Sequence, residues 1–132
     1  MKRHGMINSH ITKILTDLGH TDTIVIADAG LPVPSDVPKI DLSLKLGVPS
    51  FEDVVVAVLE DMATERIVIA SEMKDRNQKA YELMEKQNIL VEEVSHEQLK
   101  MLTSKAKVVI RTGEATPYAN CILQAGVIFL KR

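Results

Sequence analysis

The run Ile24-Val25-Ile26-Ala27, closed by Asp28 and the turn-forming Ala29-Gly30-Leu31-Pro32, constrains the fold more than any other stretch of this chain. An unbroken apolar run leaves no polar face for solvent, so a strand built from it is expected to be covered on both sides. Doubly covered strands belong to α/β sheets with helices packed above and below. In such sheets ligands bind beyond the carboxyl ends of the strands. Asp28 therefore stands where chemistry is usually done, and His20, shortly before the strand, is the nearest candidate proton carrier.

The rest of the chain extends this pattern. Ile7, Ile11, Ile14, Leu15 and Leu18 recur at helical spacing, with Asn8 or Ser9 to cap the start and Gly19 to end the helix. Gly30, Pro32, Pro34 and Pro38 make residues 28–38 an ordered loop, and residues 39–44 alternate as a half-buried strand does. Ser50 and Asp53 form an Asp variant of the capping box, and Phe51, Val54, Val55, Val58, Leu59 and Met62 follow as one apolar stripe. A buried strand over residues 66–70, a charged helix over 75–87 and a third central strand over 89–94 come next. Ser95 to Gln98 is a second capping box, opening a short helix toward Thr103. Residues 107–110 read as a strand, 112–117 as a polar loop, and 120–130 as a β-rich stretch interrupted near Gly126. The expected architecture is α/β: one three-layer, Rossmann-like domain spanning residues 1–132, with a mostly parallel central sheet and helices on both faces. The terminal strand is expected to add in antiparallel fashion.

Composition removes several classes of function. A formal net charge of −2 offers no basic footprint for nucleic acid, and 3% aromatic residues with no Trp provide no base-stacking platform. The 4 histidines show no H-x-x-x-H spacing and the single Cys121 has no C-x-x-C partner, so no metal site is expected. Neither G-x-G-x-x-G nor the P-loop pattern occurs, which disfavours a nucleotide-binding domain, and no cofactor is expected. One cysteine, no signal-peptide core and no apolar run of membrane-spanning length point to a cytoplasmic protein that does not engage a membrane.

What remains is a set of side chains suited to an uncharged, hydroxyl-rich ligand. Asp28 read structurally is a turn residue bonding its own following amides, and read functionally a carboxylate at a strand end. His20 is either a basic residue at a helix C-terminus or, beside Asp28, an oriented acid–base group. His96, in the first turn of its helix, and Lys100, one turn later, are surface residues or sugar contacts. The stretch Arg111 to Glu114 ends a strand with a dense set of hydrogen-bonding groups, and Tyr118-Ala119-Asn120 sets a phenol and a carboxamide on one short segment.

Several separated motifs then coincide in order with one family. His20 to Pro34 (HTDTIVIADAGLPVP), Asn8-Ser9-His10-Ile11, Lys39-Ile40-Asp41-Leu42-Ser43, Ser95-His96-Glu97 and Ile110 to Asn120 (IRTGEATPYAN) resemble the D-ribose pyranase family, which includes the L-fucose mutarotases. The similarity covers essentially the whole chain, with Leu130-Lys131-Arg132 extending slightly past the usual end. The resemblance implies a cytoplasmic isomerase that interconverts pyranose and furanose D-ribose without metal or cofactor. It further implies a homo-oligomer of pentameric rings pairing into a decamer, with sites between neighbouring subunits. Carried over by motif, His20 is the proton donor, and Asp28, His96, Lys100, Tyr118, Ala119 and Asn120 bind the sugar. Mutarotation of L-fucose, or non-catalytic sugar binding linked to ribose transport, are the competing activities.

Overall fold

Strands β1 (Thr23–Ala27), β2 (Lys39–Asp41), β3 (Thr64–Ala70), β4 (Leu90–Val94), β5 (Val109–Arg111) and β6 (Cys121–Ala125) hydrogen-bond into a six-stranded sheet ordered β2-β5-β1-β6-β3-β4. This computed structural model describes residues 1–129. β1 and β2 both pair in parallel with β5, and β3 pairs in parallel with β4. β6 runs antiparallel to both β1 and β3, so it joins two parallel blocks that point the same way. The antiparallel terminal strand is thus in the middle of the sheet. It stops at Ala125, before Gly126, so the expected β-rich stretch is shorter; Leu130 and the tail Lys131-Arg132 lie outside the described residues.

The same four residues, Ile-Val-Ile-Ala, recur at 24–27 and 67–70, and all eight are buried because β1 and β3 flank β6 on either side. Alternation splits each run between two cores. Ile24, Ile26, Ile67 and Ile69 face one core, and Val25, Ala27, Val68 and Ala70 the other. The first core is covered by α1 (Ser9–Asp17) through Ile11, α2 (Phe51–Asp61) through Phe51, Val54, Val55 and Val58, α3 (Glu72–Arg76) through Met73, and α4 (Gln78–Glu85) through Leu83 and Met84. The second is covered by α5 (His96–Thr103) through Leu99 and by Leu31 and Val37 of the loop after β1.

Local chemistry sets the boundaries. Asn8 caps α1 by accepting from the Ile11 amide at 3.0 Å, and capping boxes open α2 at Ser50 and α5 at Ser95. Several expectations change, and the half-buried strand expected over residues 39–44 ends at Asp41. α1 ends because Leu18 turns extended (ψ 131), not through a left-handed Gly19. The charged helix is broken at Asn77 into α3 and α4. β4 is an edge strand with Leu90 62% exposed, because the parallel block ends with it. The last parallel strand before the polar loop is displaced to Val109–Arg111, where it bonds β1 and β2.

Candidate active site

Because β6 alone is reversed, its amino end meets the carboxyl ends of the other five strands at one edge of the sheet. Asp28 after β1, His96 after β4, Arg111 at the end of β5 and Tyr118 before β6 are thereby gathered from distant parts of the chain. Asp28, His96, Lys100, Arg111, Glu114 and Tyr118 line an open cleft of about 670 Å³. Its position beyond the strand carboxyl ends is the one where open α/β sheets bind ligands.

Asp28 carries the structural and the functional role together. Its Oδ1 accepts from the Gly30 amide at 3.0 Å, which fixes the turn. Its Oδ2 accepts from Asn120 Nδ2 at 3.2 Å, while the Asp28 amide donates to Asn120 Oδ1 at 2.8 Å. Asn120 is 1% exposed and does not line the cleft, so it acts behind Asp28, orienting the half-buried carboxylate. Ala119 is fully buried and faces a second, smaller cavity beside α2.

His96 and Tyr118 meet edge to face, with ring centroids 5.1 Å apart and planes at 82°. The His96 amide donates to Glu72 Oε1 at 3.1 Å, tying α5 to the start of α3. The Glu72 carboxyl is held below the usual range first by its own amide and then by that of His96. His96 Nδ1 is buried without a hydrogen-bond partner among the described residues. Lys100 is on the cleft wall but paired with Glu97 at 2.9 Å.

His20 is elsewhere. It precedes β1, at the end of the sheet opposite Asp28, and β1 alone spans about 13 Å at ~3.3 Å per residue. The expected His20–Asp28 pair is therefore not formed within one chain. Instead His20 Nε2 lies 2.5 Å from Glu65 Oε1, next to Gly126, Val127 and Ile128. The carboxylate that orients this imidazole is Glu65, at the start of β3. Sequence reasoning missed it because only the parallel alignment of β1 and β3 brings residues 45 apart together.

Backbone strain marks both places. Outside glycine, positive φ occurs at Thr21 (73°), Asn88 (58°) and Tyr118 (58°) among the described residues. Asn tolerates this region, but a β-branched Thr and a Tyr do not adopt it without cost, of order 1–3 kcal/mol. One adjoins His20 and the other is in the cleft.

Arg111, Glu114 and Glu72 are further residues of the site that spacing alone did not assign. Arg111 Nε donates to the Ala29 carbonyl at 3.1 Å, and its Nη1 to Asp41 at 3.0 Å and Ser43 at 3.2 Å. The guanidinium thus holds the Asp28 loop against β2. Glu114 accepts from the Phe51 amide at 2.9 Å, and its carbonyl accepts from the Ala29 amide at 2.8 Å. The signal for Arg111 and Glu114 was the polar density at the end of β5. Cys121 is fully buried, and burial pushes its thiol up and out of nucleophilic reach. No cluster of potential metal ligands occurs, and no helix is long and apolar enough to cross a membrane, among the described residues.

Comparison with known proteins gives a consistent picture. A family model described as the RbsD / FucU transport protein family matches residues 1–128. A D-ribose pyranase of Bacillus velezensis is 62% identical over 131 residues, covering 98% of this chain and 100% of that protein. The solved structure of Bacillus subtilis RbsD complexed with D-ribose is 59% identical, with a TM-score of 0.95, covering 98% of this chain and 100% of that one. The fucose mutarotase of Streptococcus pneumoniae, solved in complex with L-fucose, shares the fold at a TM-score of 0.79 with 24% identity, over 98% of this chain and 100% of that one.

Proposed function

The chain belongs to the RbsD / FucU transport protein family, and on that premise we propose that it is a D-ribose pyranase, an isomerase interconverting the pyranose and furanose forms of D-ribose. The observation that carries this reading is a carboxylate, Asp28, aimed by a buried carboxamide beside an imidazole–phenol pair in an open cleft of about 670 Å³. Such groups recognise hydroxyls, and the cleft's Arg111 and Lys100 already have carboxylate partners.

The reaction needs only proton movement. A proton is delivered to the ring oxygen, the bond from C1 to that oxygen breaks, and the anomeric hydroxyl gives up its proton to form the open aldehyde. The C4 hydroxyl then adds to C1 and releases its proton as the carbonyl oxygen gains one. General acid–base groups typically contribute about 10²–10⁴-fold to such steps. In this reading Asp28, His96, Lys100 and Tyr118 hold the sugar, while the buried Ala119 and Asn120 act from behind the cleft, Asn120 by orienting Asp28. The acid is His20, oriented by Glu65.

Since His20 and Asp28 stand at opposite ends of β1, the acid comes from a neighbouring subunit. Two exposed apolar surfaces support this assembly. Ile128 and Phe129 are 80% and 84% exposed at the His20 end, and Leu44 and Leu46 are 79% and 76% exposed near the cleft. Joining unlike ends of identical chains gives a heterologous contact, which forms a ring when the rotation between neighbours closes. Pentameric rings pairing into a decamer, working in the cytoplasm, complete the proposal.

Saturation-transfer NMR on D-ribose tests it. Wild type is expected to accelerate exchange between pyranose and furanose signals, and His20→Ala to lose most of that acceleration. Ribose binding with no acceleration would leave only a sugar-binding module, and acceleration confined to L-fucose would move the assignment to the mutarotases.

A further inference from the structure

The break between α3 and α4 has a consequence in the cleft. At Asn77 the backbone leaves the helical region (φ −150°, ψ 76°), so the amphipathic segment continues as α4 only after a new cap. Asn77 supplies that cap, its Oδ1 accepting from the Ala80 amide at 3.2 Å. The other end of the same carboxamide reaches across to the loop before β6. Nδ2 donates to Thr116 Oγ1 at 2.9 Å and to the Pro117 carbonyl at 2.7 Å. Thr116 Oγ1 in turn donates to Glu114 Oε2 at 2.9 Å, and Glu114 Oε1 accepts from the Phe51 amide at 2.9 Å.

The Pro117 carbonyl belongs to the peptide plane that precedes Tyr118, and rotation of Tyr118 relative to that plane is its φ. Tyr118 holds φ at 58°, which a tyrosine keeps only where its surroundings enforce it. On its far side the Asn120 amide donates to the Tyr118 carbonyl at 2.9 Å. Both peptide planes flanking the strained residue are therefore pinned, one of them by Asn77. Released from the first bond, Tyr118 would relax toward negative φ and swing its ring away from His96.

We propose that Asn77 is a positioning residue for the sugar site: its carboxamide stops the helix, caps α4 and holds Tyr118 in its left-handed conformation against His96. This rests on the pyranase reading above, and the experiment separates the two. Asn77→Asp and Asn77→Ser both keep a good helix cap, but neither keeps the Nδ2 donor. Asn77→Ser introduces no charge, which controls for a new carboxylate near Glu114.

Three measurements are made on each full-length variant: thermal unfolding, D-ribose exchange by saturation-transfer NMR across sugar concentrations, and the ring resonances of Tyr118 and His96. The chain has 2 tyrosines, so Tyr81 serves as the internal reference. Both variants are expected to unfold near the wild-type temperature. Their maximal exchange is expected to fall about 10- to 100-fold, as displacements near 1 Å do. Tyr118 and His96 resonances should shift while Tyr81 stays in place. Should one variant fail to fold, the other carries the same expectations. Wild-type exchange with unmoved Tyr118 resonances in a folded variant would overturn the proposal. So would a loss of exchange matched by the unfolded fraction, with Tyr118 native in the folded remainder. Absence of exchange in wild type would defeat the pyranase reading alone, and the resonance shifts would still decide the role of Asn77.

Discussion

Asn120→Asp replaces one amide nitrogen by oxygen in the buried side chain that orients Asp28 from behind the cleft. The new side chain keeps an acceptor for the Asp28 amide, which donates at 2.8 Å, but sets a second carboxylate 3.2 Å from Asp28 Oδ2. With both ionised, Coulomb repulsion at that distance is about 5 kcal/mol at an effective dielectric near 20. Keeping the introduced carboxyl protonated at neutral pH costs about 4 kcal/mol, starting from an ordinary pKa of ~3.9 at ~1.36 kcal/mol per unit. The terms are close, so the introduced group titrates near neutrality in the folded state. A folded pKa raised above the unfolded one gives stability that is fully present below the unfolded value and is lost as pH rises through the folded value. Asn120→Asp should thus match wild type near about pH 4 and lose about 4–5 kcal/mol by about pH 8. Asn120→Ala should lose about 2–4 kcal/mol at neutral pH, because both hydrogen bonds between Asn120 and Asp28 vanish. Urea unfolding along a pH series measures both. A pH-independent Asn120→Asp curve, or an Asn120→Ala change within ~0.5 kcal/mol, would refute the coupling of Asn120 to Asp28.

Other perturbations test neighbouring parts of the fold. A Cβ on Gly113 would stand 2.5 Å from the Lys45 and Val48 carbonyl oxygens, so Gly113→Ala should cost about 1–3 kcal/mol in chemical denaturation. Glu65→Gln keeps a polar group beside His20 but removes the charge, and about fivefold to tenfold slower ribose exchange is expected from the ~1 kcal/mol between charged and neutral hydrogen bonds. Asp41 is held below its ordinary value of 3.8 first by the Ser43 hydroxyl, then the Ser43 amide, and also by Arg111. A depressed carboxyl stabilises above its unfolded pKa and ceases to as pH falls through the folded value. The stability gap between wild type and Asp41→Asn should accordingly close on acidification below 3.8.

Much of this architecture is legible in the chain because local rules and tertiary demands agree. Ile24 to Ala27 can only be a doubly covered strand, and the Ser50 and Ser95 boxes mark helix starts to the residue. Spacing alone misread what long-range pairing decides. No local signal says that β6 inserts between β1 and β3, and that insertion puts β4 at the edge. Charge periodicity ran through Asn77 because nothing in the helix shows the bonds its side chain makes to Thr116 and Pro117. The same limit governed the site. Asp28, His96, Lys100 and Tyr118 were readable as hydroxyl-binding groups and do converge. Proximity in sequence misjudged His20, since eight residues across a strand separate groups rather than join them.

The central claim is that one chain's cleft works with a neighbour's His20. Subunit mixing tests it directly. His20→Ala and Asp28→Asn chains, each impaired alone, are unfolded together in equal amounts, refolded, and assayed for ribose exchange. In randomly mixed rings about one quarter of sites join an intact cleft to an intact His20, so about a quarter of wild-type exchange should return. A mixture no more active than the average of the two variants would contradict the shared site.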